Sequence, residues 1–285
     1  SKYFAMCAIA LLGLANTSCM SDDIESTPSC DFKVVLDYKV GSSTTETRAA
    51  LTRAEEVGKA DLNENLINRL DLFIFEKDGS RVKQVTFDGA DVQGSPTTEY
   101  KQKELTELTR SDIEGNDLYL VANLSNWGNI NSLNDLKTAT INQAASFQHN
   151  QKQDAFVMDA KMLKREVTAG KIHLKFQLKR ALAKIRLCVK DASGNLVDPA
   201  NYACQLVNYA ADGSIIEEGT CADNKLAKAA AVATPDLKVE GKAVFYSYAN
   251  SWINKDKDPK AEEPIDVSKQ TYILLKAKYN GKDYF

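Results

Sequence analysis

Asp31-Phe32-Lys33-Val34-Val35-Leu36-Asp37-Tyr38-Lys39-Val40 alternates almost without fault. Phe32, Val34, Leu36, Tyr38 and Val40 point one way; Lys33, Val35, Asp37 and Lys39 point the other. A period of two belongs to a β-strand with one buried face. Burying those five side chains contributes roughly 7–15 kcal/mol gross, at about 1.5–3 kcal/mol each. That equals the net stability of an entire ordinary domain. Straight after it, Gly41-Ser42-Ser43-Thr44-Thr45-Glu46-Thr47-Arg48-Ala49-Ala50-Leu51-Thr52-Arg53-Ala54 is polar, small, Pro-free and aperiodic. It reads as an exposed loop of the kind that proteases cut. Two Arg-Ala bonds lie in it, Arg48-Ala49 and Arg53-Ala54.

Further strands follow outward from this one. Leu70 to Phe75 is an apolar run interrupted at Asp71, and Lys77-Asp78-Gly79-Ser80 supplies an Asp-Gly turn before Val82, Val85 and Phe87, which predicts a hairpin. Leu118 to Ala122 reads as a short buried strand, and Phe156-Val157-Met158 as a short apolar patch. Ser132, with Asp135 in the first turn, caps a predicted helix carrying Leu133, Leu136, Ile141, Ala144 and Ala145; a second helix is expected near Lys103 to Ile113. Ile172, Leu174, Phe176 and Leu178 share one phase, and Ala181, Ala183, Ile185, Leu187 and Val189 the opposite one. The flip at Lys179-Arg180 implies a bulge or a change of packing partner. A domain boundary is placed just before this stretch, near Thr168-Ala169-Gly170. Beyond it, turns at Ser193-Gly194-Asn195 and Asp212-Gly213 separate strands at Tyr202 to Tyr209, Ala243 to Ala249 and Tyr272 to Tyr279. Many short strands between turns suggest sandwiches. Asn280-Gly281 is a strong hairpin signal, yet only four residues follow it. The second strand is expected to continue past Phe285 or to be completed by another chain.

The 285 residues suggest about two domains. A hydrophobic share of 44% with 26% charged residues is that of a folded body rather than a disordered or collagen-like chain. The net charge of -3 gives no surface for capturing nucleic acid. There are two histidines, His149 and His173, which leaves little for a metal site or imidazole acid/base chemistry. His173 falls on the polar phase of its strand and His149 lies among Gln and Asn; both read as surface residues. The six cysteines, Cys7, Cys19, Cys30, Cys188, Cys204 and Cys221, include no C-x-x-C spacing. Cys188, Cys204 and Cys221 read as small buried apolar side chains, with disulfides left open for the four beyond Cys19. No phosphate loop, dinucleotide fingerprint or G-x-S-x-G elbow occurs. The pairs Asp22-Asp23, Glu55-Glu56, Glu217-Glu218 and Glu262-Glu263 read as solvated faces, and Tyr246 with Tyr248 as core. No catalytic residue, metal site or cofactor is expected, and the chain is read as a non-enzyme.

Lys2 precedes an apolar run from Tyr3 to Leu14 that is too short to span a bilayer, where about 20 residues are needed. With small residues after it, this is the pattern of a secretory signal; since Ser1 rather than Met opens the sequence, the true start is expected upstream. Asn16-Thr17-Ser18-Cys19 resembles a bacterial lipobox, departing from it at Asn16, which makes Cys19 the candidate acylated residue. More than one acyl chain anchors stably. Met20-Ser21-Asp22-Asp23 resembles an acidic surface-export signal of Bacteroidales lipoproteins.

The leader, the alternating strand, the Arg-Ala loop, Leu70-Asp71-Leu72-Phe73-Ile74-Phe75 before its turn, Leu118-Tyr119-Leu120-Val121-Ala122-Asn123 and Arg180-Ala181-Leu182-Ala183-Lys184-Ile185 together resemble the fimbrillins, the structural subunits of Bacteroidales type V pili. The resemblance implies an all-β chain of two transthyretin-like β-sandwich domains in tandem with minor helices. It divides the chain into a signal peptide (1–18), an acylated propeptide with a removable first strand (19–48), an N-terminal sandwich (49–168) and a C-terminal sandwich (169–285). It implies a lipoprotein carried to the outer membrane, cut by an Arg-specific protease at Arg48-Ala49 or, second, at Arg53-Ala54. The strand with Phe32, Val34, Leu36, Tyr38 and Val40 then leaves, and a strand from a neighbouring copy or related subunit replaces it. Host or bacterial surface ligands are further expected partners. The alternative is a non-polymerising surface lipoprotein of related fold, an anchor, tip adhesin or glycan-binding protein, in which the loop stays uncut and the Trp127 or Trp252 loops would meet a ligand.

Overall fold

A computed structural model describes residues 32–41, 64–124, 128–142, 144, 155–198, 201–219, 226–228, 242–250, 269–279 and 282–284. In chain order the elements are β1 Lys33–Val40, β2 Arg69–Phe75, β3 Arg81–Asp88, β4 Lys101–Leu105, α1 Arg110–Ile113, β5 Asp117–Ala122, α2 Leu133–Thr138, β6 Thr140–Ile141, β7 Met158–Lys161, β8 Lys164–Thr168 and β9 Lys171–Arg180. They continue as β10 Ala183–Cys188, β11 Tyr202–Ala210, β12 Gly213–Ser214, β13 Leu226–Lys228, β14 Lys242–Ser247, β15 Tyr272–Tyr279 and β16 Lys282–Tyr284. The chain is all-β, with two short α-helices and one 3-10 turn at Gly89–Asp91 among the described residues.

The first nine strands except β6 form one eight-stranded sheet in the order β3-β2-β5-β7-β9-β1-β4, with β8 also on β9. Residues of β1 and β9 share one buried cluster with β2, β5 and β7: Leu36, Tyr38, Leu174 and Phe176 lie with Leu70, Leu72, Leu120 and Met158. The sheet therefore closes over its own core. The opposite face of β2 and β5 is covered as well. Phe73, Phe75, Tyr119 and Val121 lie in a second cluster with Leu136, Tyr202, Leu206, Phe245 and Tyr248. Cover on both faces accounts for the nearly continuous apolar run Leu70 to Phe75, which an exposed-faced strand would not carry. Asp71, within that run, is fully buried and is held by Arg69 (Nε to Oδ2, 2.8 Å) and by the Thr86 hydroxyl (2.5 Å).

Several expectations hold in detail. β2 and β3 form the hairpin, with Leu72 opposite Val85 and Gly79 at φ +89° in its turn, where a side chain would be strained. Ser132 caps α2 through a full capping box with Asp135. Tyr246, Tyr248 and Cys204 are buried, and desolvation pushes the Cys204 thiol up to about 11.

Others are corrected. The α2 helix ends at Thr138, the backbone turns extended at Ala139, and Ile141 belongs to β6, which pairs with β12; the β-branched Thr140 and Ile141 favour extended backbone. Asp212-Gly213 is no turn, since Gly213 pairs with Ile141. Residues from Lys103 to Leu105 are strand, and helix is confined to Arg110–Ile113. Of the two readings of the phase flip at Lys179-Arg180, the change of packing partner is the one found: β9 ends at Arg180, Leu178 lies in the first cluster and Leu182 in the second. Thr168-Ala169-Gly170, read as a boundary, is the hairpin turn between β8 and β9, with Thr168 opposite Lys171 and positive φ at Ala169 (48°) and Gly170 (74°). Those two angles give the primed turn favoured between antiparallel strands.

Candidate functional site: the slot that holds the first strand

The strand β1 has the alternating sequence, and the fold gives it two neighbours. It runs parallel to β9, from Lys33 beside Lys171 to Val40 beside Leu178, and antiparallel to β4, from Val34 beside Leu105 to Tyr38 beside Lys101. Among the described strands β4 pairs with β1 alone. β1 is thus a central strand near the beginning of the chain, with both backbone edges in ladders.

Its inner face is the predicted one. Val34, Leu36, Tyr38 and Val40 are at most 1% exposed, and Phe32 packs against the same cluster. They stand in register with Ile172, Leu174, Phe176 and Leu178 on β9. The Tyr38 hydroxyl donates to the Val92 carbonyl at 3.3 Å, and burial pushes its pKa up to about 12. The end of the strand is fastened by Val40 N–H to Pro96 O (2.7 Å) and Gly41 N–H to Leu178 O (2.8 Å).

The outer face is more polar but not bare. Lys33 pairs with Glu104 at 2.8 Å, and Lys39 lies 4.8 Å from the Tyr100 ring centroid. Asp37 between them is buried. Its Oδ1 accepts from Gln102 Nε2 of β4 at 2.8 Å, and its Oδ2 meets His173 Nδ1 of β9 at 2.9 Å. His173 therefore sits on the polar face as read, yet its side chain is 19% exposed and engaged with Asp37. Sequence reading missed this triad because its members are 65 and 136 residues apart from Asp37.

Three anchors, Glu64, Asn65 and Asn123, also escaped the sequence. Glu64 is buried, pairs with Lys184 of β10 at 2.9 Å and accepts from the Tyr246 hydroxyl of β14. Arg180 donates to Asn65 Oδ1 at 2.7 Å. Asn123, at φ 61°, donates to the carbonyls of Leu66 (2.6 Å) and Phe156 (2.7 Å) and accepts from Asn68 N–H (2.8 Å). The chain at 64–68 is thus tied to β9, β10 and β14 and to Asn123 at the end of β5. A carboxylate at Glu64 and a side-chain amide at Asn123 leave no periodic trace.

Cys19, Arg48, Ala49, Arg53 and Ala54 lie outside the described residues, as do His149, Trp127 and Trp252. Among the described residues no group of three or more His, Cys, Asp or Glu side chains is placed to hold a metal ion.

No curated protein matches the sequence. The solved structure of the tip fimbrial protein Mfa3 from Porphyromonas gingivalis, with C-terminal truncation, aligns at TM-score 0.54 and 12% identity over 89% of this chain and 80% of that one. A proposed cell adhesion protein from Parabacteroides distasonis aligns at TM-score 0.51 and 13% identity, over 88% and 78%. At such identities the likeness is one of fold. The sequence profile of the major fimbrial subunit protein (FimA) matches residues 32–201, the span that begins just before β1, contains both walls of its slot and stops before β11. That match covers more than half of the 285 residues, and the chain belongs to the FimA family of fimbrial subunit proteins.

Proposed function

We propose that this protein is a non-enzymatic structural subunit of a cell-surface fimbrium, exported as a lipoprotein and polymerised by strand exchange. Its leader is removed before Cys19, which takes the acyl chains that hold the precursor on the outer membrane. An Arg-specific protease then cuts at Arg48-Ala49, with Arg53-Ala54 as second choice. One cut in that loop frees everything before it, β1 included. A neighbouring copy or related pilus subunit supplies the strand that takes its place. No cofactor enters at any stage.

The observation that carries this reading is the position of β1 between β9 and β4. Losing it bares apolar side chains on its inner face together with unpaired edges on both walls. A strand added in trans repairs both, through ladder hydrogen bonds and pockets for alternate side chains. Head-to-tail addition that does not close gives a filament. The anchors at Glu64 and Asn65 support the same reading, since they hold the chain after the loop whether or not β1 is present.

The test is to treat the full precursor with an Arg-specific protease, sequence the new N-terminus by mass spectrometry and look for filaments by electron microscopy. Ala49 or Ala54 at the N-terminus of filament subunits is expected. Protein that starts at Cys19 and keeps β1, or that sheds β1 and stays monomeric, would refute polymerisation and favour an anchor, tip or glycan-binding surface lipoprotein of the same fold.

A further inference from the structure

We infer that the slot of β1 selects its occupant by an acidic side chain at the Asp37 position, so that the incoming strand must read apolar-x-apolar-acid-aromatic or apolar-x-apolar. This rests on the strand-exchange reading above and adds the chemistry of the partner strand, which comes from a second subunit of this fold.

Apolar alternation alone does not fix a register. A slip of two residues puts Val34, Leu36 and Tyr38 into pockets shaped for Leu36, Tyr38 and Val40, or the reverse, and the inner face stays apolar. The outer face discriminates. Asp37 is engaged by both walls, accepting from Gln102 on β4 and meeting His173 Nδ1 on β9 at 2.9 Å, and its side chain is 3% exposed. A two-residue slip would bring Val35 or Lys39 to that point. Val35 offers no acceptor and leaves the Gln102 amide and the His173 ring nitrogen without their partner, while Lys39 would set an ammonium on a face that already carries Lys171 and Lys175 and would require both wall groups to turn an acceptor toward it. The surroundings point the same way. The outer face of β9 carries Lys171, His173 and Lys175 in alternation, with Lys175 held by Glu166 at 2.5 Å, and on β4 the same face carries Gln102 and Glu104, the latter paired with Lys33 at 2.8 Å. A carboxylate complements both the donors and this charge, and it spans the two walls as no apolar residue does.

The test uses the full chain cut by an Arg-specific protease and fluorescein-labelled peptides covering residues 32–41: the native sequence, Asp37→Asn and Asp37→Val. Binding is read by anisotropy and by competition with unlabelled native peptide. Hydrogen bonds to a charged group set the scale, and the Asp37→Val peptide is expected to bind at least about tenfold more weakly, with Asp37→Asn between the two. In the protein carrying His173→Leu and Gln102→Leu the Asp37→Val deficit should shrink to less than about threefold, since the donors it offends are gone. Equal binding of the native and Asp37→Val peptides would overturn the acid requirement while leaving strand exchange intact. So would a deficit unchanged in the doubly substituted protein. Entry of no peptide at all would instead overturn strand exchange, and the acid requirement with it. Should the doubly substituted protein fail to fold, the peptide series on the native protein decides alone.

Discussion

Truncating Leu36 to Ala probes the slot at its centre. Leu36 is fully buried, lies beside Leu174 of β9 and Lys103 of β4, and shares its cluster with Leu72, Leu120 and Phe176. Its neighbours stand on strands held in ladders, so they cannot collapse into the space. The cost therefore belongs in the middle of the about 2–5 kcal/mol range for Leu to Ala, near 3.5 kcal/mol. In the intact chain this appears as lost unfolding free energy in a urea titration. In the chain cut after Arg48, β1 is held by non-covalent contacts alone. The same loss then appears as a roughly 300-fold weaker grip on the fragment, at 1.4 kcal/mol per decade. Retention is measured by size exclusion followed by mass spectrometry of the bound fragment across a dilution series. Lys33→Ala, at the exposed pair with Glu104, should leave both measurements unchanged. An intact chain that loses about 3.5 kcal/mol while fragment retention stays within threefold would refute the treatment of β1 as a separable strand.

Asn123→Ala should destabilise by about 2–4 kcal/mol, because three hydrogen bonds go and Ala tolerates φ 61° poorly; urea unfolding measures it, and a loss under about 1 kcal/mol would contradict the account. Ala169→Gly should stabilise by about 1 kcal/mol, since glycine adopts the left-handed turn position without the penalty of a Cβ, read as a raised thermal midpoint. Asp159 is buried and accepts from Glu217 N–H at 2.9 Å, and desolvation pushes its carboxyl up to about 7. Its ordinary range is near 4, so the folded state holds a proton there that the unfolded state has lost. The ionised form therefore costs stability above pH 7, and the cost fades as pH falls from 7 to 4. The difference between wild type and Asp159→Asn should favour the variant by up to about 4 kcal/mol at pH 8 and vanish near pH 4; a difference that does not change with pH would refute the assignment.

The strands with strict alternation were legible because water on one side and core on the other write a period of two into residues such as Val34, Leu36, Tyr38 and Val40. β4 was not. Lys101-Gln102-Lys103-Glu104-Leu105 is made of good helix formers, and its strand state comes from β1 alongside it, a partner more than sixty residues away in sequence. Charged residues on such an edge deter pairing with foreign chains and at the same time disguise the strand. The turn at Ala169-Gly170 was misread as a boundary because a small-residue gap looks the same between two domains as between two hairpin strands. The Asp37 triad was hidden for a different reason: each member occupies a polar phase, where local pattern predicts solvent, and only the register of three strands closes the triad.

The edges of β4 and β9 also face each other across a gap one strand wide. β1 is parallel to β9 and antiparallel to β4, so β4 and β9 are antiparallel to each other and capable of bonding directly. Strands in a sheet stand about 4.8 Å apart, and an emptied slot could heal by that small step, sealing the subunit against any newcomer. Lys103 pairs with Asp91 (2.5 Å) and Lys101 donates to the Gln93 carbonyl (2.8 Å), which ties β4 to the segment whose Val92 carbonyl receives the Tyr38 hydroxyl, and a closing step would have to carry or break these ties. Hand-over in which the arriving strand enters as the old one peels away would never present the vacant form. Its signature is a departure rate that climbs with the concentration of the arriving strand, whereas a rate indifferent to that concentration would mean the vacancy survives by itself.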